Sequence, residues 1–492
     1  MFFAIGCWIG NESYFLFLFF FLTQGILFVI ILIGLYLTKF IRRNKMKQAN
    51  TNTERFSRSS WSILLLFGLV GQIAWSVENM YFNLFVYDTI APDLDTVTLM
   101  VQLSGIMATV ATLIAGVISD KVGNRRSFIS WGYAIWGITV AMFGFMSPDL
   151  TATIFGIPLD KAVPLTLVLV VVGDCVMTLF GSTANDAAFN AWLTDNTKPS
   201  FRGAVEGVVS VLPLIAMLIV AGGFAIIKDL VGYKWLFAGL GAVISISGII
   251  GLFMIKDSDT LVKNGDMKDI FYGFRPSVIK ENKPFYLTLL AVGIYGIAFQ
   301  IFMPYLIIYM VQYLGFNTIE YSVVFGGAIL AGAVINVFLG KYSDTKNKAK
   351  LLYIAAAVMA AGLFAMFLAK GMSHIVTLIL FGIAGFVMIT GYIFVTALCG
   401  SMVRDHTPEG SAGKLQGVRM VFSVLIPMII GPMIGNSINK AMGNLMENPG
   451  ADAMTTEYIP APEIFLVGGI ATLVLFVVIP FLTKYNEKNS EG

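Results

Sequence analysis

Apolar runs of about twenty residues, each long enough to carry an α-helix across the hydrocarbon core of a bilayer, recur from end to end of this chain. Inside a bilayer every backbone N–H and C=O must find its partner within the protein, which leaves only helices and closed barrels. A barrel reads as short segments of alternating polarity. The runs here are unbroken and carry Gly and Pro within them, as membrane helices do. With 57% of residues hydrophobic and only 12% charged, the chain has too little polar surface to solvate a water-soluble fold of its length.

Spans are expected near 62–89, 96–118, 127–147, 163–186, 203–227 and 233–255, then near 284–314, 319–340, 351–369, 372–398, 415–439 and 461–483. The expected fold class is therefore an all-α polytopic membrane protein with six plus six spans: a first bundle over 59–255, a linker over 256–283, and a second bundle with a short tail over 284–492. A further apolar run near 14–38 belongs to an N-terminal segment, 1–58, that closes with Lys39, Arg42, Arg43, Lys45 and Lys47. Its charge follows the apolar stretch, whereas a signal peptide carries the charge first. Two readings of it stand: an accessory thirteenth helix, or an upstream start, with translation beginning at Met46.

Lys and Arg collect in cytoplasmic loops. Arg55, Arg58, Lys121, Arg125, Arg126, Lys198, Arg202, Lys256, Lys280, Lys341, Lys346, Lys348, Arg404, Lys414 and Lys484 all fall on one side of this topology, and only Lys161, Lys228, Lys234, Lys370 and Lys440 fall opposite. Both ends of the twelve-span unit are expected in the cytoplasm, in a plasma membrane of the bacterial inner-membrane kind. The net charge of +3 reflects this bias and implies no nucleic-acid partner.

The two halves are related. Thr194-Asp195-Asn196-Thr197, followed by Gly203-Ala204-Val205-Glu206-Gly207-Val208, returns about 210 positions later as Arg404-Asp405-His406-Thr407 and Gly413-Lys414-Leu415-Gln416-Gly417-Val418. Gly116–Arg126 likewise answers Gly340–Lys348. Parallel repeats about an axis along the membrane normal build a central site between two bundles that rock against each other, so transport is the leading expectation. Cys7, Cys175 and Cys399 lie in or beside apolar runs and form no framework. His374 and His406 make no ligand pair, and neither a metal centre nor a catalytic constellation is legible. No cofactor is expected.

Gly116-Val117-Ile118-Ser119-Asp120-Lys121-Val122-Gly123-Asn124-Arg125-Arg126 resembles the loop between the second and third helices of the major facilitator superfamily. Within it, Asn190-Ala191-Trp192-Leu193-Thr194-Asp195 through Arg202 resembles the glycoside, pentoside and hexuronide cation symporters and the related sucrose-type proton symporters. The resemblance implies a conformational gate of Asp120, Arg125, Arg126, Arg202 and Asp344. It also implies a fourth-helix carboxylate that touches sugar hydroxyls, the position of Asp174, and a basic residue of the eleventh helix facing the site, the position of Arg419. One departure bears on coupling: the second span, from Val97 to Ser119, has no Asp or Glu, where sodium-coupled members of the resembled branch carry carboxylates. Protons are thus favoured over sodium.

Ionisable residues inside a membrane are costly and mark ion, proton or substrate sites. Glu78, Asp174 and Arg419 are the mid-span candidates. Gln72, Trp75, Asn79 and Asn83 recur at helical spacing around Glu78, a polar stripe with an aromatic face that suits a pyranose: convergent polar groups for its hydroxyls, an indole for its apolar face. The same residues would also serve as interhelical glue. Asp174, Thr178, Ser182 and Asn185 share a face of the fourth span, with Asn185 and Asp186 read as gate or capping groups at its end. Tyr295, Gln300, Thr390, Tyr392 and Thr396 are weaker second-half candidates. The expected substrate-binding set is Trp75, Glu78, Asn79, Asn83, Asp174, Thr178 and Arg419, with Glu78 and Asp174 coupling protons. The expected activity is proton-coupled sugar or glycoside symport by a monomer. The alternatives are proton-linked efflux of amphiphiles, a lipid or lysolipid carrier, and a non-transporting receptor or scaffold.

Overall fold

Small polar residues set where the apolar runs begin to coil. The Ser57 hydroxyl accepts a hydrogen bond from the backbone N–H of Ser60 at 2.9 Å, satisfying one of the donors a helix start leaves orphaned, and opens α1 (Arg58–Thr89). Asp93 caps α2 (Leu94–Val122) in the same way, and Asn124 caps α3 (Arg125–Phe143). Between them Gly123 closes α2 at φ 68°, a left-handed conformation that costs glycine nothing. The computed structural model describes residues 57–197, 202–258, 267–343, 347–408, 415–444 and 458–490, and the apolar run near 14–38 lies outside them.

After α3 a short helix, Pro148–Phe155, turns away by 96°, and α4 (Leu159–Asn196) follows. The next apolar run, Gly207–Met254, is 48 residues long. As one helix it would reach about 72 Å, more than twice the hydrocarbon thickness. Gly232, at φ 76° and ψ 167°, breaks it into α5 (202–231) and α6 (233–254). The second half supplies α7 (Lys283–Tyr313), α8 (Thr318–Ser343), α9 (Lys348–Leu368), α10 (His374–Asp405), α11 (Gln416–Met442) and α12 (Glu463–Lys484). Among the described residues twelve spans result, six in each half. Helices α4 and α10 run past their apolar stretches to Asn196 and Asp405, where Trp192, Leu193, Met402 and Val403 stay buried and Asp195 and Asp405 are held in ion pairs. The described part of the linker forms two short helices, Met267–Phe274 and Pro276–Glu281, the first packed on the start of α11.

In the first bundle α3 packs along α6 at very close approach. A Cβ on Gly241 would lie 2.3 Å from the Gly137 carbonyl oxygen and 2.7 Å from the Ala141 amide nitrogen. Backbone cannot retreat as a flexible side chain can, so Gly241→Ala forces the helices apart. We expect a loss of about 1–3 kcal/mol, read as a lower melting temperature of the detergent-purified protein.

The halves meet where α2 packs on α11 and where α5 and α6 pack on α8. Toward the end remote from the Arg125 loop, polar bonds stitch them together. Lys440 Nζ pairs with Asp95 at 2.7 Å, and Asn436 Nδ2 donates to the same carboxylate at 2.6 Å. Thr98 and Tyr305 share a hydrogen bond of 2.7 Å, and the Tyr305 hydroxyl reaches the Pro432 carbonyl at 2.9 Å. Gln102 donates to the Ile429 carbonyl, and Tyr87 to that of Tyr458.

Candidate functional site

Helix α1 does not keep one register. Residues Glu78–Phe82 form a π turn, which inserts one residue and rotates everything beyond it relative to an α-helix. Gln72, Trp75 and Asn79 are partly exposed, while Asn83 is buried and donates back to the Asn79 carbonyl at 3.3 Å. The expected four-residue stripe therefore ends at Asn79, and Asn83 does not share it. Asn79 Nδ2 in turn donates to the Trp75 carbonyl at 2.8 Å.

The same turn directs Glu78 toward α4. The Thr178 hydroxyl donates to Glu78 Oε1 at 3.1 Å, and Asp174 and Asp186 both lie within electrostatic reach of that carboxylate. Glu78 is 7% exposed and Asp174 2%. Glu78 Oε2 and Asp174 Oδ1 are buried without a hydrogen-bond partner. Unfilled acceptors at a packed helix junction are costly where nothing comes to fill them. Their chemistry suits a proton and the hydroxyls of a solute. Trp75 sets its ring 5.0 Å from that of Trp136, which continues the aromatic wall onto α3.

Sequence spacing misassigned the end of α4. A regular helix puts Asn185 on the face of Asp174, but Ser182–Phe189 is a second π turn, and the inserted residue brings Asp186 onto that face instead. Asp186 lies against Ser182 and Trp75, with α4 running on to Asn196, so it is not an end cap. Asn185 is structural: its amide donates to the Tyr133 hydroxyl, which donates to the Phe67 carbonyl at 2.7 Å. The four-residue spacing of Asp174, Thr178, Ser182 and Asp186 is the signal that finds Asp186. Tyr133 and Trp136, aromatic residues of an otherwise ordinary span, give none.

The expected gate residues divide. Arg125, 5% exposed, bonds Asp120, the Ser119 hydroxyl at 2.6 Å and Asp195 at 3.1 Å, tying α2 and α3 to the end of α4. Arg126 takes Asp257 on its backbone N–H at 2.9 Å and binds the Leu252 carbonyl, fastening α3 to α6. The second half repeats the device. Asn347 caps α9 as Asn124 caps α3, and the next residue, Lys348, reaches Ser401 at 2.7 Å and Asp405 at 2.6 Å. Asp405 is the repeat partner of Asp195. Arg202 opens α5 with its side chain outside the described residues, and Asp344 lies outside them entirely. Arg419 stands in the first turns of α11, two residues past Gly417, the neighbour of Leu113 on α2. In the second half Tyr392 stacks on Phe299 at 4.0 Å, and Asn336 Nδ2 donates to the Thr390 carbonyl at 3.1 Å.

No curated protein matches the sequence. Among solved structures the fold is similar to that of a bacterial homologue of the human lysosomal transporter Spinster, in an inward-facing and unoccupied conformation, at TM-score 0.64 and 12% identity over 87% of this chain and 98% of that one. It is also similar to two structures of the nucleoside transporter NupG. One, a mutant, gives TM-score 0.62 and 12% identity over 85% and 99% of the two chains; the other gives 0.59 and 13% over 86% and 99%. The sequence itself matches the Major Facilitator Superfamily over residues 64–432, from the first span into the eleventh, and with the six-plus-six helices and the twinned basic clamps on the page, the chain belongs to that superfamily.

Proposed function

We propose that this protein is a proton-coupled symporter that takes up a sugar or glycoside by alternating access, with its basic end in the cytoplasm. The observation that carries the reading is the Glu78–Thr178–Asp174 junction: two buried carboxylates with open lone pairs, beside the partly exposed Trp75 and Asn79. A proton taken up there removes the charge that resists movement of the site through a closed, dehydrated state. Trp75 offers a ring face to the solute and Asn79 a polar edge.

The test is the pH of a weakly buffered, de-energised suspension of cells expressing the protein, with glycosides, simple sugars and nucleosides added in turn. One sugar or glycoside is expected to alkalinise the medium, and the response is expected to vanish in Glu78→Gln and Asp174→Asn. Silence across the panel would overturn the reading. A groove of about 430 Å³ on the outside of the second half, lined by Met433, Ile434, Ile438, Met442, Leu466 and Val467, favours a second reading in that event, a carrier of amphiphiles admitted sideways from the lipid.

A further inference from the structure

Asp174, Thr178, Ser182 and Asp186 fall four residues apart on α4, and the π turn at Ser182–Phe189 keeps the last of them on the face of the first. We propose that Asp186 is the proton-exit residue of the carrier, receiving the proton from the Glu78–Asp174 pair and handing it to water at the cytoplasmic end. The assignment rests on the proton-coupled reading above and names a residue which that reading leaves idle.

The argument is positional. Glu78 and Asp174 are shut away, whereas Asp186 is partly exposed and stands twelve residues nearer the basic end of α4 than Asp174, about 18 Å along the axis. The rungs between them are hydroxyls. Thr178 already donates to Glu78, and Ser182 Oγ, fully buried, is set between Thr178 and Asp186 in spacing and lies within hydrogen-bonding reach of the latter. A hydroxyl both accepts and donates, so it relays a proton without net change: the carboxylic acid of Glu78 or Asp174 becomes a carboxylate, Asp186 becomes the acid, and water takes the proton from it. The groups facing Asp186 are Glu78 and Trp75 from α1, Tyr133 from α3, and Ser182 on its own helix. Helix α2, which also packs on this π turn, carries no Asp, Glu, Lys or Arg between Thr96 and Ser119. Acids and hydroxyls thus run in one line, and no base interrupts it.

The test needs no knowledge of the solute. Infrared absorption of protonated carboxyls is followed after an upward pH jump on the purified full-length protein, wild type against Asp186→Asn and Asp186→Glu. The expected result is deprotonation slowed at least about tenfold in Asp186→Asn, at the low end of what positioned acid–base groups contribute, with the Glu78 and Asp174 signal keeping its amplitude and Asp186→Glu restoring the rate. An unchanged rate overturns the proposal. So does a lost amplitude in Asp186→Asn, which would make Asp186 a structural support of the pair. A wild-type protein with no protonated buried carboxyl overturns proton coupling and this relay together, while failure of every sugar in the suspension assay, with the infrared result intact, overturns only the choice of solute.

Discussion

Cells carrying Glu78→Gln or Asp174→Asn are expected to lose all accumulation of the solute against its gradient while still exchanging external for internal solute. The amide keeps the size and the hydrogen-bonding edge of the acid but can neither gain nor lose a proton, so the site is locked in its uncharged form. An uncharged loaded site reorients freely, which preserves exchange. Accumulation requires each inward turnover to carry a proton down its own gradient, and that coupling is what the amide removes. Glu78→Gln retains an acceptor for the Thr178 hydroxyl, now 3.1 Å from Glu78 Oε1, so the junction itself survives. The measurement is a pair of assays on one preparation, uphill uptake of labelled solute and counterflow. Full uphill uptake in both amide variants would sink the coupling mechanism; loss of both activities would show that these carboxylates hold the solute and not only the proton.

Arg125→Ala is expected to be the most destabilising change at the basic end. Three separate nitrogens of one guanidinium are engaged: Nε with Asp195, Nη1 with Ser119 and Nη2 with Asp120. Truncation leaves Asp195, with only a quarter of its side chain exposed, facing Asp120 without the charge that reconciles them. Breaking a buried pair in this way costs several kcal/mol, but Asp120 is 44% exposed and water screens its share, so we expect about 2–3 kcal/mol. Arg125→Lys is expected to recover little, since one ammonium cannot reach three acceptors placed around a planar fork. Lys348→Ala, in the second-half counterpart, is expected to be milder, because its partner Asp405 is half exposed. Thermal unfolding of the three purified variants checks the order, and equal losses for Arg125→Ala and Lys348→Ala would refute it.

The twelve spans were legible because bilayer thickness imposes a length that hydrophobic residues cannot disguise. The repeated loop that carries Asn124-Arg125 and Asn347-Lys348 was legible because it is written twice, whereas Asp195, Lys348 and Asp405 were not read as members of a clamp. The interior of the site was harder to read. Asn83 and Asn185 both looked like members of polar faces on a 3.6-residue period, and both were displaced from them by a π turn between them and the carboxylate they seemed to accompany. A π turn leaves no composition of its own: Glu78-Asn79-Met80-Tyr81-Phe82 and Ser182-Thr183-Ala184-Asn185-Asp186 read as ordinary helix, and the extra residue is admitted because neighbouring helices hold the backbone around it. The ends of α4 and α10 were underestimated for a related reason: buried apolar residues, Trp192 and Leu193 on the one and Met402 and Val403 on the other, continue each helix past polar residues that the sequence pattern reads as its end.

The bonds between Asp95 and Lys440, Thr98 and Tyr305, and Gln102 and Ile429 belong to neither the acidic junction nor the basic clamps, yet under the proposed alternating access they must be severed each time the halves part at this end and remade on return. They contribute a barrier that owes nothing to what is carried. Cargoes that bind with very different affinity would then share one ceiling on turnover, set by the strength of this seam. A softer seam would make a faster carrier for all of them alike.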